Sequence, residues 1–129
     1  MRFSVEDARR LEDLGVSVVY LFGSVAEGVA IPSSDLDLGI LFRRFPDDPP
    51  GAYERLYDLL TDAFPGRHLD IVFLQRAGLE LKGDAIRHGQ VLYEASPAER
   101  ATFEERTMLA CADFAPLQRE IDRTILART

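Results

Sequence analysis

The sequence lacks an apolar run long enough to cross a bilayer. Its longest runs, Val16–Phe22 and Leu36–Phe42, are far shorter than the roughly 20 residues that a membrane-spanning helix needs. The N-terminus does not show the basic and then apolar pattern of a signal peptide. Cys111 is the only cysteine, and a lone cysteine forms no internal disulfide. These scarcities predict a protein of the reducing cytoplasm that has no membrane partner.

The chain also has fewer basic than acidic residues. Lys and Arg number 15 against 22 Asp and Glu, which gives a net charge of −7. A surface that binds DNA or RNA neutralises many phosphates with Lys and Arg, so we expect no direct binding of a long nucleic acid. A nucleotide is compatible with this charge if metal ions neutralise its phosphates.

Repeats, low-complexity tracts and linkers are absent as well. A chain of 129 residues that is 47% hydrophobic can bury one sizeable core. We therefore expect a single domain over residues 1–129. Cys111 lies in a helical pattern, where a small buried apolar residue is its expected role.

Hydrophobic periodicity predicts alternating helices and strands, and hence an α/β fold. Helical patterns cover residues 5–14, 52–64 and 79–87, and strand patterns cover residues 17–22, 36–42, 69–74 and 91–94. Residues 43–51, rich in proline, are expected to form an exposed loop. From about residue 97 the C-terminal part is again helical, and Pro116 should break or kink it.

Helix ends can be placed by their capping residues. Ser4 and Ser96 each precede an acid by three residues, namely Asp7 and Glu99, which is the capping-box spacing. Gly89 is expected to cap the third helix. The charged residues of the C-terminal helices are expected to be solvated helix faces; they are Glu104, Glu105, Arg106, Arg119, Glu120, Asp122 and Arg123.

The most informative segment runs from Gly23-Ser24, through a ten-residue spacer, to Asp35-Leu36-Asp37. Side chains two residues apart in a strand lie on one face, so Asp35 and Asp37 should project together. Two adjacent carboxylates repel each other unless a cation lies between them, and Mg²⁺ prefers oxygen ligands. Gly23 would let a phosphate approach the backbone closely, and Ser24 would offer a hydroxyl and an amide.

A third acid, Asp70, begins another apolar segment. If that strand lies beside the strand of Asp35, three carboxylates converge. Such a triad can bind two metal ions about 3.5–4 Å apart, one at the acceptor oxygen and one at the triphosphate. The alternative is that Asp35 and Asp37 are turn residues after Ser33-Ser34 and that Asp70 only marks a strand end. His68 lies on the same side as Asp70, where a surface role is favoured over a catalytic one.

Gly23-Ser24, the spacer, Asp35-Leu36-Asp37 and the later Asp70 resemble the signature of the polymerase-β-like nucleotidyltransferases. Size and element order resemble the minimal nucleotidyltransferase (MNT) antitoxins, the partners of HEPN-domain toxins. The resemblance implies a small mixed sheet flanked by helices. It also implies that Gly23 and Ser24 bind the nucleotide, and that Asp35, Asp37 and Asp70 are catalytic residues that bind metal. Val25 departs from the family, in which a larger polar or basic residue often follows the serine.

Other phosphate and metal motifs do not fit. Val29 and Ala30 stand where a P-loop needs lysine and then serine or threonine, and the apolar residues after Asp37 do not continue an EF-hand. The resemblance to the MNT antitoxins implies transfer of AMP from ATP, with two Mg²⁺ ions, to a tyrosine of a HEPN toxin in a type VII-like toxin-antitoxin pair, and this is the expected function. The alternatives are a small-molecule nucleotidyltransferase of the aminoglycoside type and a non-catalytic antitoxin. The acceptor, base preference and oligomeric state are not fixed by these residues.

Overall fold

The computed structural model describes the backbone of residues 3–23 and 35–127, and side chains as far as residue 112. In chain order its elements are α1 (Val5–Asp13), β1 (Val16–Phe22), β2 (Leu36–Phe42), α2 (Pro49–Ala63), β3 (Leu69–Phe73), a 3₁₀ turn (Leu74–Arg76), α3 (Leu79–His88), β4 (Gln90–Glu94) and α4 (Pro97–Ala127). Within these ranges, no helix is long and apolar enough to cross a membrane.

The strands form one mixed sheet in the order β3-β2-β1-β4. β1 is antiparallel to both β2 and β4, whereas β2 and β3 are parallel. The parallel pair requires a crossover, and α2 supplies it. The predicted mixed sheet flanked by helices is confirmed.

Alternate strand residues build two hydrophobic layers. On the first face α1 and α2 cover the sheet, with Leu11 and Leu56 packing among Leu36, Leu38 and other buried residues. On the second face a second hydrophobic cluster contains Ala85 of α3 and four buried strand residues, Val18, Tyr20, Phe22 and Leu41. Phe103 of α4 packs against this cluster.

Two helix starts agree with their capping residues. The Ser4 side chain accepts a hydrogen bond from the Asp7 amide at 3.1 Å, and the Asp7 carboxylate accepts one from the Ser4 amide at 3.2 Å, which completes the capping box of α1. Ser96 caps α4 by accepting from the Glu99 amide. The Glu99 carboxylate instead accepts from Ser17 of β1, so the second predicted box forms only in part.

Several predicted boundaries differ from the structure, and three of the differences have a physical explanation. Helix α2 begins at Pro49, inside the expected loop of residues 43–51, because Asp48 caps it and proline suits the first turn. Strand β3 ends at Phe73, since Leu74 turns into the 3₁₀ segment and packs over Gly39. Helix α4 continues across Pro116, so the expected break is not present. A proline removes one backbone donor, and the hydrogen bonds of the adjacent turns can hold the helix together.

Glu104 is not part of a purely solvated face. It is half-buried, accepts a hydrogen bond from the Tyr20 hydroxyl at 2.9 Å, and pairs with Arg100 at 3.2 Å. Arg100 also forms an ion pair with Glu94. Burial, and then Glu104, raises the pKa of Tyr20 far above its ordinary value. This network fastens α4 to β1 and β4. The sequence predicted a strand over residues 17–22, but it did not identify a partner for the Tyr20 hydroxyl.

Candidate active site

Asp37 and Asp70 lie side by side on adjacent strands. They are register partners in the parallel ladder of β2 and β3. Leu36 and Leu38 face the core of the first layer, so the intervening Asp37 projects from the second face, as the alternation of a strand requires. Asp37 is half-buried and Asp70 is exposed. The condition set in the sequence analysis, that the strand of Asp70 lies beside the strand that follows Asp35, is therefore met.

The electrostatics of Asp37 reflect this pairing. Its pKa is raised, first by desolvation and then by the nearby Asp70 carboxylate, with which it shares a side-chain hydrogen bond. The charge of Asp35 contributes in the same direction. Two carboxyl groups that share a hydrogen bond must hold a proton or a cation between them, because two bare anions at that distance repel.

Gly23 closes one side of this carboxyl pair. Its φ of 75° lies in the left-handed region that favours glycine. A Cβ atom at this position would lie 2.2 Å from Oδ2 of Asp37. The backbone at the end of β1 can approach the carboxylate only because residue 23 has no side chain.

Asp35 occupies a different position from the other two acids. It precedes β2 and is exposed. Within residues 3–23 and 35–112, no group of three or more His, Cys, Asp or Glu side chains is arranged to hold a metal ion. The structure thus brings Asp37 and Asp70 together as register partners, whereas Asp35 contributes only its charge to the environment of Asp37. The paired carboxylates have the donor chemistry that Mg²⁺ requires.

The remaining candidates lie beside this pair or outside the described part of the chain. His68 is exposed, and its carbonyl accepts the amide hydrogen of Leu36 at 2.8 Å, which starts the ladder of β2 and β3. Ser24 and Val25 lie outside the described residues, so the predicted nucleotide contact of Ser24 stays a prediction.

A family model described as polymerase beta, nucleotidyltransferase matches residues 9–98. The match includes β1, β2 and β3 and therefore all three acids. The chain belongs to the polymerase-beta nucleotidyltransferase family. No curated protein matches this nucleotidyltransferase chain in a direct comparison.

Solved structures share the fold of this nucleotidyltransferase. A toxin-antitoxin crystal structure with AMP-PNP matches with a TM-score of 0.72 at 22% identity, over 92% of this chain and 94% of the other. A complex of tri-AMPylated Shewanella oneidensis HEPN toxin with MNT antitoxin matches with a TM-score of 0.64 at 19% identity, over 94% and 97% of the two chains. A toxin-antitoxin MntA-HepT structure gives 0.66 at 18%, over 95% and 99%. At these identities the likeness establishes the fold.

Proposed function

We propose that this chain transfers AMP from ATP to a tyrosine hydroxyl of a HEPN toxin and so acts as the antitoxin of a type VII-like pair. The observation that carries the proposal is the carboxyl pair of Asp37 and Asp70, which lies on adjacent strands against Gly23, the residue that follows β1. Family membership supplies the reaction class. Because ATP is the donor, we place the reaction in the cytoplasm.

In the proposed reaction Asp37 and Asp70 would hold divalent metal ions, with Asp35, just before β2, as a third ligand. Two Mg²⁺ ions would neutralise the triphosphate and lower the pKa of the acceptor hydroxyl. Gly23 admits a phosphate close to the backbone, and Ser24 donates to it. The acceptor oxygen forms a bond to the α-phosphorus while the bond to pyrophosphate breaks. Asp70, which is exposed, accepts the proton of the hydroxyl.

A protein acceptor fits the open position of Asp70. An acceptor molecule held only at this exposed carboxylate would have few contacts, whereas a hydroxyl on a docked protein is positioned by the rest of the interface. Two of the structural neighbours support the choice of nucleotide and acceptor: one contains AMP-PNP, and another contains an AMPylated HEPN toxin with an MNT antitoxin.

The test is co-expression with the protein of the neighbouring reading frame, followed by incubation of the purified pair with ATP and Mg²⁺. Intact-mass spectra should show one or more added AMP groups on the partner. The Asp37→Asn and Asp70→Asn variants should bind the partner but add none. A complex that forms without any added mass would indicate a non-catalytic antitoxin. Adenylylation of an aminoglycoside, with the partner unmodified, would indicate the small-molecule enzyme.

A further inference from the structure

The outer edge of β3 is open in the described part of the chain. β3 is the terminal strand of the sheet and pairs there only with β2. The Leu36 amide donates to the His68 carbonyl, and Leu36 is the register partner of Leu69. In a parallel ladder with this register, the backbone amides and carbonyls of Leu69 and Ile71 point away from β2. An additional strand could form hydrogen bonds with these groups.

This edge begins at the candidate active site. Asp70 lies between Leu69 and Ile71, and its exposed side chain projects from the second face of the sheet. A strand added to β3 would run about 4.8 Å away. Its side chains on the second face would therefore lie beside Asp70.

An aromatic strip borders the first-face side of the same edge. Tyr53 and Tyr57 of α2 are 40% and 43% exposed, and their rings stack with centroids 6.4 Å apart. The ring of Tyr53 lies 6.0 Å from that of Phe73 at the end of β3. Because α2 is the crossover between two parallel strands, it runs opposite to β3. Tyr57 is thus displaced from Tyr53 in the direction of Asp70.

The other terminal strand, β4, is less suited to pairing. Its ladder with β1 shifts register between Val19 and Tyr20, and such bulges hinder the addition of a strand. Glu94 at its end is held by Arg100. The β2–β3 ladder, in contrast, runs without a shift from Leu69 to Phe73.

We propose that the outer edge of β3 binds an extended segment of the acceptor protein as an additional strand. This inference rests on the proposed protein-modifying function and specifies how the acceptor is held. Alternate residues of the segment face opposite sides of the sheet. Apolar residues on one side pack on Tyr53 and Tyr57, while the residue that carries the hydroxyl lies on the other side, near Asp70. The backbone supplies affinity and the aromatic strip supplies selection.

The first experiment removes the aromatic strip and leaves the carboxylates in place. In the Tyr53→Ser/Tyr57→Ser double variant, the KM for the partner should rise at least about ten-fold, because the variant loses the apolar contact that the two rings would make with the bound segment. The thermal shift caused by Mg²⁺ and ATP should remain that of the wild type. The Tyr53→Phe/Tyr57→Phe variant should keep a normal KM, because it retains the rings.

A matched control alters exposed apolar residues elsewhere. Met108 and Leu109 of α4 are 43% and 60% exposed, and the Met108→Ser/Leu109→Ser variant should keep the wild-type KM. An unchanged KM in the double tyrosine-to-serine variant would overturn the proposal. So would an equal rise in KM for the α4 variant, which would place the acceptor on that helix.

The second experiment measures backbone pairing directly. Amide hydrogen exchange in the peptide that spans β3 should slow at least about ten-fold when the complex forms, because paired amides exchange only after opening. Exchange in the peptide that spans β4 should be unchanged. Protection of β4 or α4 without protection of β3 would overturn docking at this edge and leave the transferase function standing. If the wild-type protein forms a complex but adds no AMP, the proposed function fails, and the acceptor assignment fails with it.

Discussion

Gly23 lies so close to Asp37 that a Cβ atom on residue 23 would be 2.2 Å from the carboxylate oxygen. In Gly23→Ala this carboxylate must move, and misplacement of a catalytic group by about 1 Å can cost about 100-fold in rate. The positive φ adds strain of roughly 1–2 kcal/mol. We expect both a loss of AMP transfer of that order and a lower free energy of unfolding, measured by mass spectrometry and by urea denaturation.

Gly15 provides the matched control for this substitution. Its φ is 76°, almost that of Gly23, but a Cβ atom there would meet nothing within 4 Å. Gly15→Ala should therefore lose a similar amount of stability and keep its transfer rate. If both variants lose activity equally, strain rather than displacement of Asp37 explains the effect.

The raised pKa of Asp37 predicts a specific pH dependence of stability without metal. Between the ordinary and the raised pKa, the folded protein binds more protons at this site than the unfolded chain. The stabilisation from Asp37 is thus complete below the ordinary pKa and is lost as the pH rises through the raised pKa. Asp37→Asn should remove this component. Denaturation in EDTA across the acid range, for both proteins, measures the difference; parallel profiles would contradict the assigned shift.

Mg²⁺ should stabilise the folded protein through the same carboxyl pair. A ligand that binds only the folded state raises the free energy of unfolding by about 2.7 kcal/mol at 100 times its Kd. We expect a rise in Tm with Mg²⁺ for the wild type and none for Asp37→Asn or Asp70→Asn. Asp35→Asn should give a rise between these two results, because Asp35 adds charge near Asp37 but is not part of the register pair. A full rise in all three variants would mean that the metal binds elsewhere.

Arg100 should contribute more stability than an exposed ion pair. It joins Glu94 and Glu104, and its side chain is only 33% exposed. Arg100→Ala leaves two half-buried carboxylates without their shared cation and should cost about 1–3 kcal/mol. Arg10→Ala is the control, because Asp62, its partner at 3.7 Å, is 72% exposed; it should cost less than about 1 kcal/mol. Equal losses in urea denaturation would show that the network adds nothing.

Helices and strands were predicted well from the sequence where nearby residues determine them. The apolar residues of β1 and β2, the Ser4 cap of α1 and Gly89 at the end of α3 all act within a few residues of their own position. At Gly89 a Cβ atom would lie 2.2 Å from the Ala85 carbonyl oxygen, so the requirement for glycine is itself local. The close pairing of Asp37 with Asp70 was predicted only on the condition that their strands are neighbours.

Relationships between distant segments could not be derived in this way. The position of β3 at the edge of the sheet could not be predicted from the sequence, because strand order depends on packing of the whole chain. The bond between Tyr20 and Glu104 joins residues 84 positions apart, and Glu104 looks like any charged residue on a helix. Asp35 precedes the first residue of β2 and has no partner in the β2–β3 ladder, which a two-residue alternation does not predict.

The position of Asp70 on a terminal strand also affects the order in which activity and structure are lost on heating. A strand paired on one side can detach at a lower free energy than the whole domain, since local openings span a wide range of free energies. If β3 detaches, Asp70 leaves Asp37 while β1, β2 and β4 stay paired. Transfer activity is then lost at temperatures where most of the sheet is still intact. The temperature of inactivation therefore measures the local stability of β3 rather than that of the whole domain.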